Sequence, residues 1–206
     1  MNKPILIALK VLTWIACLYP LAILVYGAVT NNLGPDPTGE IEFATGKAAL
    51  YLIVISLAIT PLRQLSPRLS WLIKFRRLLG LFAFFYASIH LMAYVGLYAY
   101  FDPHTMIQDI AKRRFITVGV AAWLLLVPLA LTSTTGAIKR LGGKRWNQLH
   151  KLVYIAVCLG LLHYWWQVKP GVLTPLGITI AMAALFIARP VLNWWKARKT
   201  TQPRPA

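Results

Sequence analysis

Four histidines punctuate a chain that is 58% hydrophobic, and imidazole is the side chain best suited to bind a metal near neutral pH. His90 sits in LFAFFYASIHLMAYVGL, with apolar neighbours on all faces, and His163 sits in CLGLLHYWW. His150 stands at the start of the same apolar stretch as His163, in RWNQLHKLVY, and His104 follows an apolar run in YFDPHTM. An ionisable side chain within a bilayer is costly and marks a functional site by default. For a single histidine, a core hydrogen bond to a carbonyl or hydroxyl is an equal alternative. Two at one depth point further. His90 lies 13 residues beyond Arg77 (90 − 77) and His163 lies 13 beyond His150 (163 − 150). At 1.5 Å per helical residue each lies about 20 Å beyond that reference residue, and so at similar height. Two neutral imidazoles facing each other at that height can fill both axial positions of a flat iron porphyrin, which satisfies both costly groups at once.

His150 is different. The matching position on the other helix is Arg76 or Arg77, and a guanidinium has no lone pair to offer iron. Thirteen residues at ~100° each also set His150 and His163 about 140° apart on an ideal helix. A shared face then requires a distortion, for which Gly160 is the candidate. His150 therefore reads as the ligand of a second haem with an unusual partner, as a polar contact to a propionate, flavin or quinone, or as an interfacial histidine. His104 reads as a solvated loop residue. Arg76, Arg77 and Arg145 can pair with propionates or phosphates, with snorkelling to the membrane surface as the alternative.

The elements that must position these residues are apolar runs. Six segments approach or reach the ~20 residues that cross a bilayer: 11–29, 45–62, 78–100, 115–133, 149–167 and 173–195. The second run ends in Thr60-Pro61-Leu62-Arg63, a proline-and-charge stop. Lys and Arg number 22 against five acidic residues. They concentrate in the N-terminus, the 62–77 and 134–148 loops and the tail, whereas the 30–44 and 101–114 loops hold Asp36, Glu40, Glu42, Asp102 and Asp109. The positive-inside rule then puts both termini in the cytoplasm, with Lys112, Arg113 and Arg114 a local exception. The expected architecture is an all-α membrane protein, a six-transmembrane-helix bundle with N-in/C-in topology. Residues 1–10 form a cytoplasmic N-terminus, 11–195 the bundle and 196–206 a basic disordered tail. The first run is too long for a signal-peptide core and has no convincing cleavage site, so it reads as a retained helix.

Basic clusters between apolar runs argue against a nucleic-acid partner. Cys17 and Cys158 lie inside apolar runs and read as buried thiols. No C-x-x-C-H, G-x-G-x-x-G or P-loop is present, which excludes covalent c-type haem and a dinucleotide domain. No catalytic triad, paired intramembrane carboxylates or H-E-x-x-H argues for a hydrolase. With so little chain outside the spans, no flavin or nicotinamide domain is expected, so an electron donor and acceptor would be separate molecules.

Several patches in fixed order carry a resemblance: LGPDP, TGKAAL leading into ITPLR, RRLLGL ahead of IHL, then LTST, LGGKRWNQLHKLVY and HYWW. On these the chain resembles the MsrQ (YedZ) family, the haem-binding membrane subunits of a bacterial system that repairs oxidised methionine in periplasmic proteins. More distantly it is similar to the transmembrane domain of ferric reductases and NADPH oxidases. The resemblance implies one or two b-type haems, with His90, His150 and His163 matching the haem-linked histidines. It implies the molybdopterin-containing methionine sulfoxide reductase subunit MsrP as periplasmic partner. It also implies the quinone pool or a cytoplasmic flavin reductase as donor, an association with FMN, and a multi-pass place in the bacterial inner membrane. On this reading His90 and His163 ligate an outer haem, His150 serves an inner site, Arg77 contacts a cofactor, and the chain transfers electrons without being the catalytic subunit. The alternatives are a stand-alone ferric or quinone reductase, and a non-redox small transporter or scaffold, although no internal repeat supports transport.

Overall fold

The computed structural model describes residues 2–169, 171 and 173–201. These residues hold nine α-helices and no strand: α1 (Lys3–Val29), α2 (Pro37–Leu65), α3 (Ile73–Ala93), α4 (Pro103–Lys112), α5 (Arg114–Leu131), α6 (Thr135–Leu141), α7 (Gly143–Leu149), α8 (Leu152–Gln167) and α9 (Leu176–Thr201). A 3₁₀ turn, Pro67–Leu72, leads into α3, and a π turn, Tyr94–Tyr98, continues it. Five helical stretches are long and apolar enough to cross a membrane: Lys3–Val29, Pro37–Leu65, Pro67–Tyr98, Arg114–Leu131 and Leu176–Trp195. The fifth expected run appears as α8, whose 16 residues cover about 24 Å. The chain is an all-α, multi-pass membrane protein.

Local chemistry sets the helix ends. Asp36 accepts from the Gly39 N–H at 2.9 Å ahead of Pro37, and Asp102 accepts from the His104 and Thr105 N–H groups at 3.1 and 3.0 Å ahead of Pro103. Each pairs an N-cap carboxylate with a proline at the first helical position, where its missing N–H costs nothing. His104 therefore opens α4 instead of lying in a loop. Pro61 does not stop α2, which continues to Leu65. The last helix likewise runs past 195 to Thr201, while 202–206 lie outside the described residues.

α2 packs along α3 and α5 along α8, with α9 leaning on α2 and α1 touching both α2 and α3. One buried cluster joins Ile53, Leu57, Ala83, Val157, Leu161 and Met182; a second joins Cys17, Ile59, Phe75, Phe82 and Tyr86. Polar ties cross the bundle. Ser56 Oγ donates to the Arg76 carbonyl at 3.0 Å, and Trp123 Nε1 donates to Ser88 Oγ at 3.0 Å. The fully buried Tyr86 donates its hydroxyl hydrogen to the Cys17 carbonyl at 2.6 Å and accepts from the Leu21 N–H at 3.2 Å. Those two backbone groups pair with each other in an unbroken helix. Beside Pro20, Tyr86 bridges them and supplies in the membrane what water cannot.

The α7–α8 junction corrects the ideal-helix estimate for His150 and His163. His150 caps α7, and the bonds Val153 N–H to His150 carbonyl and Tyr154 N–H to Lys151 carbonyl, 3.4 and 3.0 Å, are three-residue bonds of the 3₁₀ kind. The distortion lies at 150–154, not at Gly160, and the tighter turn breaks the 100° count.

Candidate functional site

α3 and α8 bring His90 and His163 to one level, with ring centroids 5.8 Å apart and planes at 84°. Each ring is fixed from behind. His90 Nδ1–H donates to the Glu42 carbonyl of α2 at 2.9 Å, and His163 Nδ1–H donates to the Phe115 carbonyl of α5 at 2.7 Å. A carbonyl only accepts, so both Nδ1 atoms carry the hydrogen and each neutral ring keeps its lone pair on Nε2. His163 Nε2 is buried and has no hydrogen-bond partner.

Two glycines make room for the rings. A Cβ on Gly46 would stand 3.1 Å from both Cε1 and Nδ1 of His90, and one on Gly119 would stand 2.7 Å from His163 Nδ1. The two ligand candidates differ in one respect. Glu42, only 7% exposed, places Oε2 3.2 Å from His90 Nδ1, while its Oε1 is buried without a partner. His163 has the carbonyl alone.

The two imidazoles face a cavity walled by α2, α3, α5 and α8. Helical periodicity builds the walls: Glu42, Gly46, Leu50 and Ile53 from α2; Ile116, Gly119, Trp123 and Leu126 from α5; Ala156, Gly160 and His163 from α8. The lining is apolar except near one end, where Glu42, Lys47, Tyr94, Tyr98, Arg113 and Gln167 gather. Asp109 of α4 ties this end together, accepting from Tyr94 Oη at 2.9 Å and pairing with Arg113 Nε at 2.9 Å. The basic cluster that breaks the charge pattern, Lys112 to Arg114, thus joins α4 to α5 and turns Arg113 to the cavity.

The other sequence candidates lie elsewhere. His150 stacks on Trp146 with centroids 3.8 Å apart, donates from Nδ1 to the Trp146 carbonyl at 3.0 Å and has Ser133 Oγ 3.4 Å from Nε2. Arg76 is the arginine near it, half-buried and within electrostatic reach. Arg77 is exposed and touches neither histidine pair nor cavity lining. His104 is exposed beside Gln108. Glu42, Gly46, Gly119 and Arg113 escape a reading by histidines alone. The signal for the first two is the 42-46-50-53 spacing, which puts them on one apolar face.

Paired, carbonyl-anchored imidazoles inside a membrane bundle make this an all-α membrane protein with a candidate metal-binding core. In agreement, the family described as ferric reductase like transmembrane component matches residues 45–161. Relatives named protein-methionine-sulfoxide reductase heme-binding subunit MsrQ align over almost the whole chain. The protein from Herminiimonas arsenicoxydans is 46% identical over 200 residues, 96% of this chain and 91% of its own length. Those from Ralstonia nicotianae and Xanthomonas axonopodis pv. citri are 41% and 46% identical, over 95% and 96% of this chain and 89% and 92% of theirs. The chain belongs to the ferric-reductase-like transmembrane family and, within it, to the MsrQ subunits. No solved structure matches it.

Proposed function

We propose that this chain is the haem-binding, electron-carrying membrane subunit of a methionine sulfoxide reductase. The supporting observation is the His90–His163 pair. With their ring centroids 5.8 Å apart, the two imidazoles are close enough that both could hold the iron of a haem bound between them. The anchored Nδ1 atoms, the orphaned Nε2 of His163 and the glycine clearances fit an iron porphyrin. A bound haem would supply reversible one-electron transfer.

The chain's own residues do the rest. The Glu42 and Phe115 carbonyls hold the tautomer and tilt of His90 and His163. Gly46 and Gly119 keep the space behind each ring free. The apolar walls exclude water. Lys47 and Arg113, which line the cavity, would offer cations to the carboxylates of a bound haem. On this reading the haem is b-type and held at the outer site by His90 and His163, with His150 serving an inner relay site, second haem or flavin contact. Electrons come from the quinone pool or a cytoplasmic flavin reductase, FMN being the flavin the resemblance implies. They leave to the periplasmic molybdopterin subunit MsrP across the bacterial inner membrane.

Haem per polypeptide, measured by pyridine haemochrome on purified protein, tests the assignment. His90→Ala and His163→Ala should each lose the outer haem, and His150→Ala should retain it at least in part. A haem-supplied wild type that stays colourless, or a His163→Ala variant that keeps full haem while His150→Ala loses it, overturns the pairing.

A further inference from the structure

Arginines gather where α2, α3 and α9 meet, at the opposite end of α2 from Glu42. Arg76, in the first turn of α3, is half-buried and donates from Nη1 to Thr60 Oγ1 at 3.3 Å. Arg189 of α9 is half-buried, donates from Nη2 to the Leu57 carbonyl at 2.6 Å and lies over the Tyr154 ring, 5.0 Å from its centroid. Its Nε is buried with no hydrogen-bond partner. Arg63 and Arg189 both lie close enough to Arg76 to repel it.

Among the described residues no carboxylate balances this group. Asp109 pairs with Arg113, and Glu42 lies beside the neutral His90. The five acidic residues are Asp36, Glu40, Glu42, Asp102 and Asp109. Glu42, the last of them on α2, is 21 residues before Arg63 (63 − 42), about 30 Å along the helix. Buried charge without a counter-ion is strongly destabilising. Snorkelling relieves an arginine that reaches the headgroups alone. It does not account for Arg189, which is held inward by a carbonyl and an aromatic face.

We propose that Arg76 and Arg189, with Arg63 at the rim, form a binding site for a phosphate-bearing anion between α2, α3 and α9. The planar fork of a guanidinium matches two phosphate oxygens, and two forks from different helices can hold one group between them. The orphaned Arg189 Nε supplies a donor that no protein group uses. An anionic phospholipid headgroup and a free phosphate present the same oxygens, and basic pockets between helices are known homes for the former. The site stands apart from the His90–His163 cavity, whose lining holds neither Arg76 nor Arg189.

Native mass spectrometry of the full chain in neutral detergent tests it, with phosphatidylglycerol, phosphatidylcholine and inorganic phosphate as probes. Wild type should retain phosphatidylglycerol over phosphatidylcholine. Arg76→Gln and Arg189→Gln should weaken that retention by at least about tenfold, while Arg68→Gln, an exposed arginine near the same end, should leave it unchanged. Displacement of the lipid by millimolar phosphate, or arginine-dependent phosphate binding without lipid, identifies a soluble phosphate as the occupant. Arg76→Lys and Arg189→Lys keep the charge where a glutamine variant fails to fold, and should still bind more weakly through loss of the fork. Retention that falls equally in Arg68→Gln, survives all the Arg76 and Arg189 variants, or is absent for both anions overturns the proposal.

Discussion

The atoms behind each imidazole matter as much as the ring. Gly119 is the tightest point, since an added methyl would meet His163 Nδ1 at 2.7 Å and Cγ at 3.3 Å. Overpacking of this kind costs roughly 1–3 kcal/mol, and here it would also push the ring off its carbonyl. Gly119→Ala is expected to lose most haem and to lower the thermal midpoint. Gly136→Ala, where the added methyl meets nothing within 4 Å, should change neither, and equal haem in both variants would remove the glycine from the site. Glu42 makes a separate prediction. A carboxylate beside the Nδ1–H of a ligand raises the basicity of that ligand and favours the oxidised metal. Glu42→Gln should keep haem and raise its midpoint potential, on the order of tens of millivolts, by redox titration in the visible band. An unshifted potential would leave Glu42 a packing residue. His90 and His163 are legible in the sequence because each can be counted from a charged helix end. Glu42 is not, because its acidity groups it with the neighbouring loop carboxylates. Only the α2 start at Pro37 turns it inward.

Helices are held in register by side chains that repair each other's backbones. Tyr86 does this for α1 at Pro20. Tyr86→Phe leaves the Cys17 carbonyl and Leu21 N–H without their partner, at a cost of about 1–3 kcal/mol, and should lower the unfolding midpoint in detergent while sparing the His90–His163 spectrum. The ten-residue α4 is too short and too polar for a search for long apolar runs to find, which is why His104 reads as a loop residue. Its start depends on Asp102, whose carboxyl is held below the usual carboxylate range by the Thr105 hydroxyl first and by the Thr105 and His104 N–H groups next. A carboxyl with a depressed folded value stabilises above its unfolded pKa, about 3.9, and that support is lost as pH falls through the folded value. Amide exchange at His104 and Thr105, corrected for intrinsic rates, should therefore accelerate in acid, and Asp102→Ala should exchange fast at every pH. A wild type whose protection is unchanged in acid would show that the cap does not rest on charge.

At the scale of the whole molecule, charge is sorted along the bundle axis. Arg63, Arg76, Lys139, Arg140 and Arg189 lie toward one end; Asp36, Glu42, Asp102 and Asp109 lie toward the other. The facing histidines and the polar mouth of their cavity belong to the acidic end, through Glu42 and the Arg113–Asp109 tie. The orientation of the bundle thus decides which compartment can exchange electrons with that cavity. Because basic loops are retained in the cytoplasm, the acidic end should face the periplasm, within reach of a periplasmic partner. Two native cysteines, Cys17 and Cys158, can be replaced by alanine to give a silent background. On it, His104→Cys in α4 should react with a membrane-impermeant maleimide in intact spheroplasts. Arg140→Cys in α6 should react only once the membrane is opened. The reverse pattern would turn the bundle over and put the His90–His163 cavity against the cytoplasm, where a periplasmic methionine sulfoxide reductase could not draw on it directly.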